Sequence, residues 1–553
     1  MMSFSPYDGD AYWDYQQIVN WCHSLVRAHS EWVALETIGV TAEGRPILLI
    51  TLGKNSAISP TFWLDGGTHA SEWTGVMATI YSLSKWVAEL QTPQGQKWFS
   101  ENAICVCPCI SPDGFEALHQ GAPFIRSSTR KPLDGVSRVG LDPQDIDGDG
   151  KVLLMRWRHP AGPFVLDESK PLGLRHRALL DDPKDAFFLC QEGAFIQWDG
   201  VKWIQAPPKH GLDLNRNFPV HWEPFQMFGM DAGAYSLSEP ESRAVVDAVY
   251  KRSKIAVGLT NHTYTGCILT QPYRKNSVLG KADINLMYRL AEASVVDTDY
   301  RVLKVYPDFT YDPDKSIIGV WADCLSVTFG IPAYTLELWD PYKWAGVTVD
   351  KPASFFAKPD PVIIDKMLEK AASTNFHPWT VFEHPQLGPV EIGGIEYLKT
   401  IRNPPVELLQ QECEQGFAVA NSLRHSMPRL SFAVKQESLG EDLHRIQVVV
   451  ENLGFLSTTS SQRAVDVGLA SGVILKLEPA ANQQIVEGIP EQNLGRLEGW
   501  GDLQVASAKH MIYPSLPTTG HRASAMWIVK GSGECTLRWD GGRAGAGKSI
   551  IST

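Results

Sequence analysis

The sequence predicts an α/β domain with a mixed, mostly parallel sheet flanked by helices, followed by a small all-β sandwich domain. Three observations predict it. In the first half, short and nearly continuous apolar runs alternate with helical stripes, as strands covered on both faces do. A long helical stretch at 404–427 closes that pattern. Beyond Pro428, strand-like runs follow one another with turns between them and no convincing helix. The predicted division is 1–427 and 428–553. A chain of 553 residues is also too long for one hydrophobic core.

Each element rests on its own residues. RPILLITLG (45–53) and TFWLDGG (61–67) are apolar runs that stop at Gly and predict buried strands. A helix is predicted from Ser71, because Val76, Met77, Ile80, Leu83 and Val87 form one apolar stripe. AICVCPCI is the next strand, ending in the turn SPDG (111–114). The stretch 132–212, rich in Pro, Asp and Trp, is expected to be an elaborate loop region over the sheet. Ser238 opens a helix as a capping box with Glu241, with Pro240 in the first turn. IAVGLT (255–260) and AYTLEL (333–338) are two further buried strands. The tail strands are RIQVVVENLGFLS, GVILKLEP, ASAMWIVKG and ECTLRWDGG.

Composition narrows the function. Hydrophobic residues make up 44% and charged residues 20%, the balance of a folded protein. The net charge is −12 with no long Lys/Arg run, which argues against a nucleic-acid partner. The N-terminal MMSFSPYDGDAYWDYQQ lacks a basic start and an apolar core, and no apolar run reaches about 18 residues. Neither a secretory signal nor a membrane span is expected, and a cytoplasmic location is. Of nine cysteines, Cys105, Cys107 and Cys109 alternate along one strand, and they read as buried thiols rather than a soft-metal site.

The chemistry sits where the first-half strands end. GGTHASEW places His69 and Glu72 three residues apart, and both are ligand types that suit zinc. That pair alone is a weak signal. A third group, His262 in NHTYTG, stands at the end of the strand IAVGLT, and three protein ligands leave a fourth position for water, as in a catalytic zinc site. Glu337 stands in the strand YTLEL, which is otherwise too apolar to welcome a carboxylate, so it is expected to face a cleft as general base.

The order H-x-x-E, an Arg, D-L-N-R-N-F, H-x-Y and a Glu in an apolar strand resembles the M14 (funnelin) zinc metallocarboxypeptidase family, over roughly the first 430 residues. Supporting text is GVTAEGRPI, SPDG and GLDLNRNFP. The resemblance, to a bacterial-type member with an added β-domain, implies a carboxypeptidase-like fold and one Zn²⁺ held by His69, Glu72 and His262. It implies that Glu337 activates a zinc-bound water to hydrolyse the C-terminal bond of a peptide with a free carboxylate. Asn215 and Arg216 would hold that carboxylate. An Arg from DGKVLLMRWRHP would stabilise the oxyanion, Arg156 being favoured over Arg158. Tyr311 would be the mobile tyrosine that covers the substrate. Counting back from Glu337, in step with the animal enzymes, puts Ala322 at the floor of the pocket for the terminal side chain, with Asp323 beside it. Ala322 there predicts apolar or aromatic termini; Asp323 there would select Lys and Arg.

Two motifs are set aside. DIDGDG (145–150) begins like a calcium loop, but its twelfth position is Arg156, so a structural turn is expected. GRAGAGKS (542–549) matches a phosphate loop literally, yet only four residues follow, too few for the helix such a loop needs; a flexible tail is expected. The competing functions are a zinc amidohydrolase acting on peptidoglycan peptides or N-acyl amino acids, and a non-catalytic binding protein.

Overall fold

The computed structural model describes residues 4–133, 137–312, 315–503 and 519–553. Its centre is an 8-stranded sheet. In chain order the strands are β1 (Val33–Val40), β2 (Pro46–Leu52), β3 (Thr61–Gly66), β4 (Ala103–Cys107), β5 (Ile255–Thr263), β6 (Cys267–Thr270), β7 (Arg301–Lys304) and β8 (Ala333–Leu338). Across the sheet they run β1-β2-β4-β3-β5-β8-β6-β7. The middle strands β4, β3, β5 and β8 are mutually parallel, and antiparallel pairings lie to either side. These middle strands are apolar because helices cover both their faces: every residue of β3, β4 and β5 is buried.

The helix Trp73–Glu89 packs beneath the sheet, buried over nearly its whole length, and lies against the closing helix Val406–Arg424. It begins two residues later than Ser71, because the preceding residues form the loop that turns His69 and Glu72 inward. SPDG is not a turn: Pro112 opens a helix that runs to His119. Its Asp113 carboxylate accepts bonds from Thr41 Oγ1 and the Glu43 amide, tying this helix to the turn between β1 and β2. The Ser238–Glu241 capping box also fails to form. Helix Pro240–Tyr250 is capped from a distance, by an Asn217 side chain that accepts from the Glu239 amide and Ser242 Oγ.

The stretch 132–212 is more ordered than predicted. Its strands Leu154–Arg158, Phe164–Leu166, Leu174–His176 and Ala186–Gln191 join His377–His384 and Gly388–Gly394 in a separate 6-stranded sheet. Short strands scattered among Pro and Asp carry too weak an alternation to be read one at a time. In DIDGDG the Asp145 carboxylate accepts from the Gly148 and Gly150 amides, so the motif is a self-bonded turn, although Asp145, Asp147 and Asp149 do lie close together.

From Leu430 the chain forms two 4-stranded antiparallel sheets. Ile446, Val448 and Trp527 from one sheet meet Leu475, Leu537 and Ile551 from the other in a shared core. Among the described residues, short helical segments at Gln462–Asp466, 500–503 and Gly542–Ala544 interrupt this all-β run. GRAGAGKS is not a flexible tail: Ala546–Ser552 pairs as a strand with Glu534–Asp540. Where a phosphate loop would open a helix, the described residues form this strand. Instead Arg543, 3% exposed, donates to the main-chain carbonyls of Phe329 and Gly330 and fastens the β-sheets to the first domain. Lys254 with Asp540, and Asp283 with the Gln462 and Arg463 amides, add to that junction.

The three alternating cysteines are buried and unpaired. No helix among the described residues is long and apolar enough to cross a membrane.

Candidate metal centre and active site

Parallel strands all end at one edge of their sheet, and the loops leaving that edge gather there. The chain leaves β3 through Gly66 and Gly67. A Cβ on Gly66 would lie 2.8 Å from the Gly75 carbonyl oxygen, so only glycine lets the next helix come this near. The loop is then tied on both sides. The Ala70 amide donates to the Arg126 carbonyl, and Asn403 accepts from the Thr74 amide while donating to the Ser71 carbonyl. His69 and Glu72 are thereby held inward.

His262 lies near the end of β5, opposite Glu337 of β8 in parallel register. His69 Nδ1 and His262 Nδ1 are 3.1 Å apart, and each is within 2.9 Å of a Glu72 carboxylate oxygen. All three residues are at most 3% exposed. Two nitrogens bound to one zinc at roughly 2.0–2.1 Å in tetrahedral geometry stand about 3.3 Å apart. The convergence of two imidazoles and a carboxylate at this spacing fits zinc, and the group is one of two such clusters among the described residues. Asp213 Oδ1 lies 3.3 Å from His69 Nε2 and orients that ring, as the partners of metal-binding histidines do.

Charge around the cluster is arranged in layers. Burial alone would raise the Glu72 carboxyl, but His69, Arg402 and His262 hold it well below its usual range. Asp213 is likewise held low against burial by Arg126, Arg216 and His69. Glu337 behaves oppositely: burial, then the Glu72 charge, push it up to about 7, against His262, Arg402 and Arg126.

The structure brings together most of the residues singled out in the sequence. Asn215 Oδ1 accepts from the Trp321 amide, which fixes its side chain beside a small cavity also lined by His69, Arg216 and Glu337. Arg216 stacks over Phe225 at 5.3 Å, and its Nη1 donates to the Asn215 carbonyl. Tyr311 lines the same cavity.

Four assignments do not hold. Arg156 and Arg158 belong to the separate sheet, and neither lines the cavity. Arg156 bonds Glu391 and stacks on Trp379, while Arg158 is exposed and bonds Asp185. Two arginines stand beside the metal cluster: Arg126, whose Nη1 is 3.2 Å from Glu72 Oε1, and Arg402, which bonds the same oxygen. The signal of Arg126 in the sequence was weak: a lone Arg in GAPFIRSST, well before DLNRNF. Ala322 and Asp323 do not line this cavity either. Both are buried in helix Trp321–Val327, and Asp323 accepts from Gln271. Counting back without gaps overlooked the turns of this helix, and Ile317 and Val320, just before it, face the cavity.

Two further residues escaped the sequence reading. Asp213 opens DLNRNF yet was assigned no role. Arg402 bonds the Glu72 carboxylate and lies over the Tyr264 ring at 5.1 Å; nothing in IRNPP marks it as part of a site.

Comparison with known proteins accords with this geometry. The zinc carboxypeptidase family model matches residues 18–157 and 185–371, more than half of the chain. The chain belongs to that family. Residues 431–551 match a model described only as a domain of unknown function (DUF8731). Carboxypeptidase B of Astacus astacus is 34% identical over 136 residues, 25% of this chain and 44% of that protein. Carboxypeptidase A6 of Homo sapiens is 28% identical over 114 residues, 20% of this chain and 26% of that protein. The chain thus spans less than half the length of these relatives. Among solved structures, thrombin activatable fibrinolysis inhibitor is similar at 16% identity, covering 67% of this chain and 76% of that one, with a TM-score of 0.40.

Proposed function

We propose that residues 1–427 form a zinc-dependent carboxypeptidase that removes an apolar C-terminal residue from peptides, and that 428–553 are a separate supporting β-domain. The observation that carries this reading is the shared cavity in which Asn215 and Arg216 stand beside Glu337 and His69. A planar guanidinium pairs well with a terminal carboxylate, and Asn215, its oxygen already engaged by Trp321, has its amide NH₂ left to donate.

His69, Glu72 and His262 would hold one zinc ion, which when bound polarises the scissile carbonyl and acidifies water. Glu337 takes the proton of the attacking water and returns it to the leaving amine. Arg126 donates to the carbonyl oxygen as negative charge builds on it. Tyr311 closes over the terminal residue. Leu269, Val305, Ile317 and Val320 line the terminal pocket, with no carboxylate but Glu337 among the described residues, which supports apolar over basic termini.

The test pairs metal analysis with hydrolysis of benzoyl-glycyl-leucine and its C-terminal amide. One zinc per chain and cleavage of the acid at least tenfold faster than the amide are expected. Equal cleavage of the two would refute terminal-carboxylate recognition.

A further inference from the structure

Two residues past Glu337 the backbone turns left-handed. Trp339 stands at φ 64°, a conformation that glycine adopts freely and a bulky aromatic residue avoids. The residue is 4% exposed, so the strain is kept inside the protein. Strain of this kind persists only where the surroundings fix a residue from several sides, and it gathers at functional sites. Trp339 nevertheless does not line the cavity that Glu337 shares with Asn215 and Arg216. Whatever it does for the site, it does through other residues.

Its surroundings do fix it. The Trp339 amide donates to Glu412 Oε2 at 2.9 Å, and the same oxygen accepts from Tyr300 Oη at 2.6 Å. Glu412 is itself buried, on the closing helix Val406–Arg424. The Trp339 carbonyl accepts from the Thr265 and Gly266 amides at 2.9 and 3.1 Å, which joins the end of β8 to the segment between β5 and β6. The ring lies 5.4 Å from that of Trp344. The indole Nε1 donates to the Ile401 carbonyl at 3.1 Å. A phenyl ring would fill much the same space, but it has no N–H to meet that carbonyl.

This indole bond reaches the metal cluster. The Ile401 carbonyl and the Arg402 amide belong to one planar peptide unit, so the indole sets the plane from which Arg402 departs. The Arg402 guanidinium bonds the Glu72 carboxylate. The Arg402 carbonyl accepts from Thr263 Oγ1 at 3.1 Å, and the Thr263 amide donates to Glu72 Oε2 at 3.1 Å. Thr263 lies opposite Leu338 in the parallel register, next to the facing pair His262 and Glu337. A ring of contacts thus runs from the end of β8 through the indole to Arg402, on to Glu72 and Thr263, and back to β8.

The geometry points to Trp339, clamped by Glu412, as a positioning residue that keeps Glu337 and the Arg402 grip on Glu72 in fixed relation. For Glu337 this rests on the hydrolase reading above; for Glu72 it rests on the metal cluster alone.

Trp339→Phe keeps a ring and removes the N–H, and Arg402→Met removes the guanidinium. Zinc affinity is read by competition with a chromophoric chelator, and kcat and KM with benzoyl-glycyl-leucine on the zinc-saturated full chain. Trp339→Phe should lose about 10- to 100-fold in zinc affinity. Its kcat should fall as well while KM stays within about twofold, because the substrate touches other residues. In the Arg402→Met background the same change should cost no more than about twofold further affinity, since both cut one link. A residue that merely stabilised the fold would instead give losses that add. Glu412→Leu should reproduce the loss, and Glu412→Gln, whose side-chain oxygen can accept both bonds, should recover the affinity to within about threefold. If Glu412→Leu does not fold, the cycle with Arg402 decides alone. Unchanged zinc affinity or unchanged kcat in Trp339→Phe, additive losses, or no recovery in Glu412→Gln overturns the inference. A parent that binds zinc but leaves the peptide uncut sinks the hydrolase reading, and the affinity cycle still decides whether Trp339 positions Glu72.

Discussion

The carboxyl of Glu337 lies between opposing influences, with burial and Glu72 raising it to about 7 while His262, Arg402 and Arg126 pull it down. A group poised near neutrality can both accept and return a proton. Glu337→Gln keeps the shape but cannot accept, so turnover should fall about 10² to 10⁴-fold while zinc content is unchanged. A rate within a few-fold of the parent would place the base elsewhere. Arg126 makes a separate prediction. Its Nη1 already bonds Glu72 Oε1 at the metal edge, where an oxyanion would form. Arg126→Ala should lower kcat about 10² to 10³-fold with little change in KM, since the charge it meets exists only in the transition state. A loss confined to KM would make Arg126 a ground-state binder. The residues singled out in the sequence that the fold brings together, His69, Glu72, His262, Glu337, Asn215 and Arg216, share one property: each sits in or beside a short distinctive run. Arg126 and Arg402 sit in ordinary loops, and only the folded backbone brings them to Glu72.

At the scale of elements, the middle strands were legible because burial on both faces leaves a continuous apolar run with few other readings. The separate sheet around Leu154–Arg158 was not. Its strands are short, some contributed from residues 377–394, and pairing over such distances leaves no local periodicity. That gap is why Arg156 was misplaced. Helix Trp321–Val327 carries its own prediction. Asp323 is about 1% exposed, and burial raises its carboxyl to about 7 despite the bond from Gln271. In the unfolded chain an aspartate titrates near 3.9. Between about pH 4 and 7 the folded state therefore holds the extra proton, and stability should fall as pH rises through that window. Asp323→Asn should flatten the slope, by on the order of a few kcal/mol across the window, in denaturant titrations at pH 4.5 and 7.5. An unchanged slope would mean that the carboxyl is solvated.

Across the whole molecule, the β-domain reaches the site through a chain of contacts. Arg543 grips the Phe329 and Gly330 carbonyls just beyond that same helix, and the Trp321 amide at its start holds Asn215. Burial lowers the Arg543 pKa to about 9, so the guanidinium stays charged at neutral pH. Arg543→Ala leaves those carbonyls unpaired and should cost about 1.5–3 kcal/mol of stability. It should also raise KM for substrates with a free terminal carboxylate, more than it lowers kcat. A fall in stability with unchanged KM would limit Arg543 to holding the domains together.

The ties among Glu72, His69, His262 and Arg402 have a consequence for how the molecule is made. His69 and His262 are separated by 193 residues, and Arg402 lies 330 residues from the Glu72 it neutralises. Contacts over such separations form late in folding, after their loop entropy has been overcome. A nascent chain that has emerged only as far as β4 holds His69 and Glu72, but neither His262 nor Arg402. Assembly of the metal cluster is thus a late event of biogenesis, since its residues come together only once the chain has been made through Arg402.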